Sequence, residues 1–194
     1  MEGFLEYKQK TIGNLPMPTT LEKLFYFEDK YGGETYVNSF CLDADDAFFE
    51  HYFDFASDEE KLANYNKQIK IFALADGTGG MYAFWVREEN SDLEDAPIVC
   101  YGSEGDVRII AKNLKDLLRL LTFDEEITEG SAFRFNDERS ENHEVFVKWL
   151  KDEFDLETVE DFKNQGKSVY SLDFKRIVAK AQELYQEDFI LWHK

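Results

Sequence analysis

The sequence predicts an α+β protein with a mainly antiparallel sheet, helices packed on it and a C-terminal helical appendage. Residues 69–86 read as two apolar strands joined by the glycine-rich link DGTGG, and residues 113–121 carry leucines at helical spacing. Two further amphipathic patterns follow at residues 143–154 and 171–185. A chain of 194 residues is long enough to bury the core of one domain without a metal or a disulfide.

The overall charge of the chain is strongly acidic. Asp and Glu number 41 against 22 Lys and Arg, which gives a formal net charge of -19 at pH 7. Such a surface repels nucleic-acid phosphates and anionic membranes, so we expect no nucleic-acid partner and no membrane partner. Two explanations stay open: the charge serves solubility, or it steers the encounter with a basic protein.

Neither the N-terminal segment MEGFLEYKQK nor any later stretch has the uncharged apolar run of a signal peptide or a membrane helix. This predicts a cytoplasmic protein. Cys41 and Cys100 occur in apolar, strand-like contexts without CxxC or histidine spacing, which favours buried, reduced thiols.

The first third of the chain is predicted to contain one clear helix. Residues 1–20 read as a lead-in with at most a short helix, because prolines interrupt it at LPMP. Thr19 or Thr20 is the predicted N-cap of the helix LEKLFYFEDKY, and the glycine pair after it ends the helix. Residues 36–42 alternate as a strand does, and residues 44–55 indicate a short helix or a packed loop.

The central hairpin is predicted from strands at residues 69–75 and 80–86. The first strand is apolar nearly throughout from residue 71, which predicts cover on both faces of the sheet. Asp76 can hydrogen-bond the backbone two residues on, and the glycines of the link can take positive φ. We therefore expect an irregular or bulged turn.

Beyond the hairpin, the pattern predicts an acidic link at residues 87–95, a strand at 97–101 and an edge strand at 106–110. Asn113 is the predicted N-cap of the leucine helix, which would lie on one face of the sheet. Four apolar residues from the strands and this helix are predicted to be buried together: Phe72, Phe84, Ile98 and Leu117.

The sequence predicts a division into a lead-in (1–20), an α+β domain (21–123), an acidic connector (124–142) and a helical extension (143–194). We expect the extension to pack on the same domain, since its apolar stripes would otherwise be exposed.

Three segments carry a family resemblance: IKIFALADGTGGMYAFW (69–85), APIVCYGSEG (96–105) and NLKDLLRLL (113–121). Together with the upstream helix that ends in glycine, they resemble the SMI1/KNR4, or SUKH, superfamily over about residues 21–123. The strand of proline and aromatic residues that precedes the glycine in that family is matched here only by Leu15 and Pro16.

The resemblance implies an α+β fold without an active site. Members of the superfamily resemble immunity proteins that bind and neutralise polymorphic bacterial toxins, many of them nucleases. Some eukaryotic members act as regulators of cell-wall synthesis through protein contacts. The resemblance therefore implies a non-catalytic protein-binding module, with a basic toxin domain as partner; the alternative is an intracellular regulatory scaffold with another partner.

No catalytic, cofactor-binding or metal-binding pattern is found in the sequence, so we expect no enzyme activity. The run with Asp43, Asp45, Asp46, Glu50 and His51 lacks the glycine and the terminal glutamate of a calcium loop. Negative charge at a helix N-terminus explains it better. The GTGG and GSEG segments lack the Lys-Ser/Thr of a phosphate-binding loop.

Carboxylates on the loops beside the sheet are the candidates for contacting a basic protein partner. They fall into three groups, in the hairpin turn, in the acidic link and after the next strand. The candidates are Asp76; Glu88, Glu89, Asp92, Glu94 and Asp95; and Glu104 and Asp106. Because alternate links can fall at opposite ends of a sheet, only two of the groups need share one patch.

Overall fold

A four-stranded antiparallel sheet forms the centre of the fold in the computed structural model. The structure describes residues 2–43, 59–88, 92–125, 133–134, 138–159, 162–163 and 169–193. The strands lie in chain order and are β1 (Ile69–Leu74), β2 (Met81–Trp85), β3 (Ile98–Tyr101) and β4 (Val107–Ala111). Both strands of the predicted hairpin and the two strands after it are confirmed, and with them the α+β class.

Six helices occur within the described residues. They are α1 (Glu2–Thr11), α2 (Thr19–Tyr31), α3 (Glu59–Gln68), α4 (Leu114–Leu121), α5 (His143–Phe154) and α6 (Leu172–His193). A small second sheet joins three short strands in the order β5, β7, β6: β5 (Phe133–Arg134), β6 (Phe162–Lys163) and β7 (Val169–Tyr170). The Asn113 cap of α4 is confirmed, because its Oδ1 accepts a hydrogen bond from the Asp116 N–H at 3.0 Å.

One face of the central sheet carries the larger part of the core. Phe72, Phe84, Ile98 and Leu117 are fully buried in one cluster, as predicted. The Tyr7 hydroxyl donates a 2.7 Å hydrogen bond to the backbone oxygen of Phe72, which ties α1 to this face. Each large apolar side chain buried here stabilises the fold by about 1.5 to 3 kcal/mol relative to an exposed one.

The other face of the sheet is covered mainly by α6. Ala83, Val99 and Ile109 share a second cluster with Ala181 and Phe189 of this helix. The sheet is therefore buried on both faces, as the continuous apolar run in β1 indicates. The helix continues past the predicted end at residue 185, because its last turns bring aromatic side chains onto the sheet.

Helix α5 packs on the first face together with α2. The Phe146 ring lies 5.7 Å from the ring of Phe27 and 5.1 Å from that of Tyr36. Phe146 and Leu150 are both buried in the larger cluster. Both C-terminal helices therefore contribute to the core of the same body.

The predicted strand at residues 36–42 is wrong. This segment is a loop whose single ladder contact is an isolated bridge between Cys41 and Leu74. The Leu42 N–H donates to the carboxylate of Glu28 at 2.8 Å, and the Asn38 N–H donates to Asp124 at 2.9 Å. Side chains thus take backbone donors that a neighbouring strand would have taken, while the apolar residues of the loop still reach the core.

The borders of the predicted lead-in and connector differ from the structure at two places. The lead-in contains α1, a helix of 10 residues, where at most a short helix was predicted. Asp124, the first residue of the predicted connector, is buried and accepts hydrogen bonds from the N–H and the hydroxyl of Ser140, both at 2.7 Å. Most of the connector, and the predicted helix or loop at residues 44–55, lie outside the described residues.

Candidate protein-binding surface

The two hairpin turns of the sheet lie side by side at one end. Strands β2 and β3 pair Met81 with Tyr101, which brings the β1–β2 turn next to the β3–β4 turn. These turns contain two of the three predicted groups of carboxylates. We call this region the turn end and define it by Asp76, Thr78, Ser103, Glu104 and Asp106.

The acidic link between β2 and β3 lies at the opposite end of the sheet, because antiparallel neighbours are joined at alternate ends. We call this region the link end and define it by Glu88, Asp92, Glu94 and Asp95. The structure therefore separates the third group of carboxylates from the other two. Glu89 lies outside the described residues.

Asp76 builds the β1–β2 turn. Its Oδ1 accepts hydrogen bonds from the Thr78 N–H at 2.8 Å, the Thr78 hydroxyl at 2.9 Å and the Gly80 N–H at 2.8 Å. A Cβ on Gly80 would overlap the Asp76 carboxylate and lie 3.1 Å from the Tyr101 backbone oxygen. Asp76 therefore stabilises the turn through its Oδ1. Among the described residues, no cation forms an ion pair with its carboxylate.

The β3–β4 turn also places an Asp carboxylate beside a glycine, but here the glycine comes before the Asp in the chain. The Asp106 carboxylate occupies the space beside Gly102 and pairs with the guanidinium of Arg108. The Thr78 and Ser103 hydroxyls are hydrogen-bonded at 2.7 Å, which joins the two turns; Ser103 is the donor, because the Thr78 proton is donated to Asp76. The two turns are therefore cross-linked, and the carboxylates of Asp76 and Asp106 are held by contacts within them.

Glu104 is the most available carboxylate of the turn end. It lies at the tip of the β3–β4 turn and is exposed. In the part of the chain that the structure describes, its side chain makes neither a hydrogen bond nor an ion pair. Its charge is free to contact a partner.

At the link end, Glu94 has a structural role that the sequence did not reveal. Its carboxylate accepts hydrogen bonds from the N–H of Thr20, at 3.2 Å, and from the Thr20 hydroxyl. The Lys115 ammonium lies 3.3 Å from the same carboxylate. Glu94 thus holds the N-terminus of α2 from a position 74 residues along the chain, where no local pattern points to it.

The predicted N-cap of α2 is wrong for the same reason. Thr19 and Thr20 are the first two residues of the helix, and Pro18 occupies the N-cap without a side-chain hydrogen bond. Threonine would normally bond its own helix from the cap position. Here the carboxylate of Glu94 satisfies the start of the helix instead.

The other carboxylates of the link end divide between turn formation and exposure. Asp92 Oδ1 accepts a 2.9 Å hydrogen bond from the Glu94 N–H and begins a 3-10 turn at Leu93–Asp95. Glu88 and Asp95 are exposed. Beside them, Arg87 forms an exposed ion pair with Asp188 of α6 at 3.1 Å. Arg87 and Lys115 bring positive charge to this end of the sheet.

Burial controls the titratable groups of the interior. It raises the pKa of both cysteine thiols, Cys41 and Cys100, to about 12, which keeps them protonated at neutral pH. It also raises the pKa of Glu28, although hydrogen bonds from Tyr36 and Leu42 oppose that rise. Among the residues that the structure describes, no cluster of three His, Cys, Asp or Glu side chains is arranged to hold a metal ion.

The described helices are all too short or too polar to cross a membrane. No family model, curated protein or solved structure matches this chain. The likeness to the SMI1/KNR4 superfamily therefore rests on the sequence pattern described above.

Proposed function

We propose that this chain is a non-catalytic protein-binding module of the SMI1/KNR4 type that neutralises a basic toxin domain. The turn end is the surface that contacts the toxin in this proposal. The observation that carries it is a net charge of -19 on a chain whose two hairpin turns bring three carboxylates together, with Asp76 and Asp106 held by contacts and Glu104 exposed. A nuclease toxin needs a basic surface to hold phosphates, and an acidic protein is suited to cover it.

The choice of the turn end over the link end follows from what each carboxylate already does. Of Asp76, Glu104 and Asp106, Asp106 alone forms an ion pair in the described part of the chain, with Arg108. At the link end, Glu94 is committed to α2 and Lys115. A rigid surface also loses little conformational entropy on binding, because the Thr78–Ser103 hydrogen bond already orders both turns.

The direct test of neutralisation is rescue of growth. If the gene next to that of this chain encodes a protein that ends in a nuclease domain, that protein is the toxin to test, expressed from an inducible promoter in a host that lacks the chain. Co-expression of the chain should restore growth, and the purified pair should form a stable complex. A toxin that remains lethal, although the chain is expressed and folded, would contradict the proposal; a partner without toxicity would favour the regulatory scaffold.

The contact surface is tested with two variants of equal charge change. The turn-end variant is Asp76→Asn, Glu104→Gln and Asp106→Asn; the link-end variant is Glu88→Gln, Asp92→Asn and Asp95→Asn. Asparagine retains the Oδ1 acceptor that Asp76 and Asp92 use, so both turns keep their hydrogen bonds. Glu94 is left unchanged because it supports α2.

The two variants should differ in how they change binding. The link-end variant should lower only the association rate, by about threefold at low salt, because it changes long-range steering. The turn-end variant should lower the association rate similarly and also raise the dissociation rate, by about tenfold or more. Glu6→Gln on α1, where Glu6 pairs with Lys10 in solvent, serves as a control for a single exposed charge. Equal losses in both three-residue variants would remove the turn end as the contact, and binding without any salt dependence would remove the electrostatic mechanism.

A further inference from the structure

A groove between α4 and α6 gathers positive charge in a strongly acidic protein. Its volume is about 300 Å³, and it is lined by four cations: Lys112, Arg119, Arg176 and Lys180. Two carboxylates, Asp116 and Asp173, also line it, which leaves a formal charge of +2 against -19 for the whole chain. The net charge of the groove is therefore positive, whereas the net charge of the whole chain is negative.

Arg119 is the best positioned of these cations. Arg119 is half-buried as a residue, and its Nε donates an exposed 3.1 Å hydrogen bond to the backbone oxygen of Glu157, which anchors the guanidinium. Within the described residues it forms no ion pair with a carboxylate. A guanidinium held in this way retains donors for a tetrahedral anion and has lost part of its conformational entropy beforehand.

The other three cations are paired only weakly. Arg176 pairs with Asp173 at 3.2 Å with the arginine side chain 76% exposed, and Lys180 pairs with Glu183 at 2.9 Å with the lysine side chain 52% exposed. Lys112 pairs with Asp116 at 3.2 Å. The Lys180–Glu183 pair is exposed on both sides, and such pairs contribute about 0 to 1 kcal/mol, so a doubly charged anion can compete for Lys180. The partners of Arg176 and Lys112 are more buried, and those two cations can contact an anion while they keep their pairs.

The size of the groove and the charge around it restrict the class of anion. A volume of about 300 Å³ is at the lower limit of small-molecule sites. A nucleic-acid strand would have to approach past the remaining negative surface, which repels it. Ile177 adds an apolar contact beside the cations, which suits an ester better than a bare ion.

We propose that the α4–α6 groove binds a small phosphate-bearing molecule, with Arg119 as its principal anchor. This site is separate from the turn end and does not depend on the protein partner proposed above. The phosphate group can belong to free phosphate, a phosphorylated amino acid or a nucleotide, and these share the chemistry that the four cations recognise.

The test is a titration of the full chain with inorganic phosphate, followed by NMR and calorimetry, with sodium chloride at matched ionic strength as the reference. We expect saturable binding, with shifts confined to α4 and the first half of α6. Arg119→Gln should weaken binding by about tenfold or more, and Arg119→Lys by less, because lysine retains the charge but not the fork of donors. Lys148→Gln on α5, where Lys148 pairs with Asp152, is the matched control and should bind phosphate as the unaltered chain does.

Arg176→Gln provides a second test that does not disturb the contact with Glu157, and it should also weaken binding. Titrations with O-phosphoserine and adenosine monophosphate, done in the same way, show which phosphate-bearing molecule the groove binds most tightly. Tighter binding of either ester supports a dedicated ligand of that class, and equal affinity for all three supports free phosphate. Phosphate effects no larger than those of chloride, or unaltered affinity in both arginine variants, would overturn the proposal.

Discussion

The loops at both ends of the central sheet are rich in acidic residues, but the carboxylates at the two ends stabilise different parts of the fold. At the turn end, the carboxylates of Asp76 and Asp106 contact residues that are close in the chain, and each lies beside a glycine of its own turn. At the link end, Glu94 acts on a helix far away in the chain. Loss of a local carboxylate should therefore loosen one turn, whereas loss of Glu94 should loosen the packing of α2.

The largest effect in this comparison is expected from Gly80→Ala. The new Cβ would displace the Asp76 carboxylate, which breaks its three hydrogen bonds, and would also press on the Tyr101 backbone oxygen. We expect a loss of about 2 to 3 kcal/mol in the free energy of unfolding, measured by urea titration.

A double-mutant cycle with Asp76→Ala shows whether the overlap is the cause. In the Asp76→Ala background the Cβ at residue 80 no longer meets a carboxylate and keeps only the 3.1 Å contact with the Tyr101 backbone oxygen, so Gly80→Ala should cost about 1 kcal/mol less there than in the unaltered chain. Strictly additive effects would mean that the glycine is needed for another reason.

Glu94→Ala is expected to have the next largest effect. It removes the acceptor of the Thr20 N–H and hydroxyl together with the ion pair to Lys115, and should lower the free energy of unfolding by about 1 to 2 kcal/mol. Hydrogen exchange should increase in the first turn of α2 and not in the hairpin turns. Asp95→Asn, its exposed neighbour, is the control and should change stability by less than about 0.5 kcal/mol. Equal effects of the two substitutions would contradict the structural role of Glu94.

Replacing Asp76 separates the acceptor from the charge. Asp76→Ala should cost about 1 to 2 kcal/mol, because the N–H groups of Thr78 and Gly80 lose their partner. Asp76→Asn retains the Oδ1 acceptor and should cost less than about 0.5 kcal/mol. If asparagine destabilised the chain as much as alanine, the negative charge itself would be holding the turn.

The smallest effect on stability is expected at Glu28, whose carboxylate accepts a hydrogen bond from the Leu42 N–H in the loop at residues 36–42. Burial raises its pKa above the ordinary value of 4.5, so between that value and the pKa in the folded chain the folded state binds more protons than the unfolded state. Its stabilising contribution is complete below 4.5 and is lost as the pH rises through the folded pKa. Unfolding titrations at a series of pH values should show a weaker decline with rising pH for Glu28→Gln; parallel curves for the two proteins would contradict the raised pKa.

Local patterns were sufficient wherever the determining residues are close in the chain. Alternating and continuous apolar runs predicted the hairpin and the two strands after it, and Asn113 with the leucine stripe predicted α4. The burial of Phe72, Phe84 and Leu117 in one cluster also followed, because the period of each element determines which side chains face inward.

The segment at residues 36–42 shows where such patterns fail. Its alternation is that of a strand, since Tyr36 and Phe40 do reach the core. Its backbone nevertheless bonds to the carboxylates of Glu28 and Asp124, which come from α2 and from the segment after α4. Competition between a ladder and side-chain acceptors depends on which carboxylates lie nearby in space, and no window of sequence contains that information.

The sequence by itself determined the α+β class, the elements of the central sheet, the acidic surface and the candidate carboxylates. Only the tertiary structure decided that Glu94 supports α2, that Asp76 and Glu104 share one end of the sheet, and that four cations meet between α4 and α6. The physical reason is how far apart in the chain the interacting residues lie. Helix and strand periods and turn hydrogen bonds operate over a few residues, whereas hydrogen bonds and ion pairs between distant segments exist only after the chain has brought those segments together.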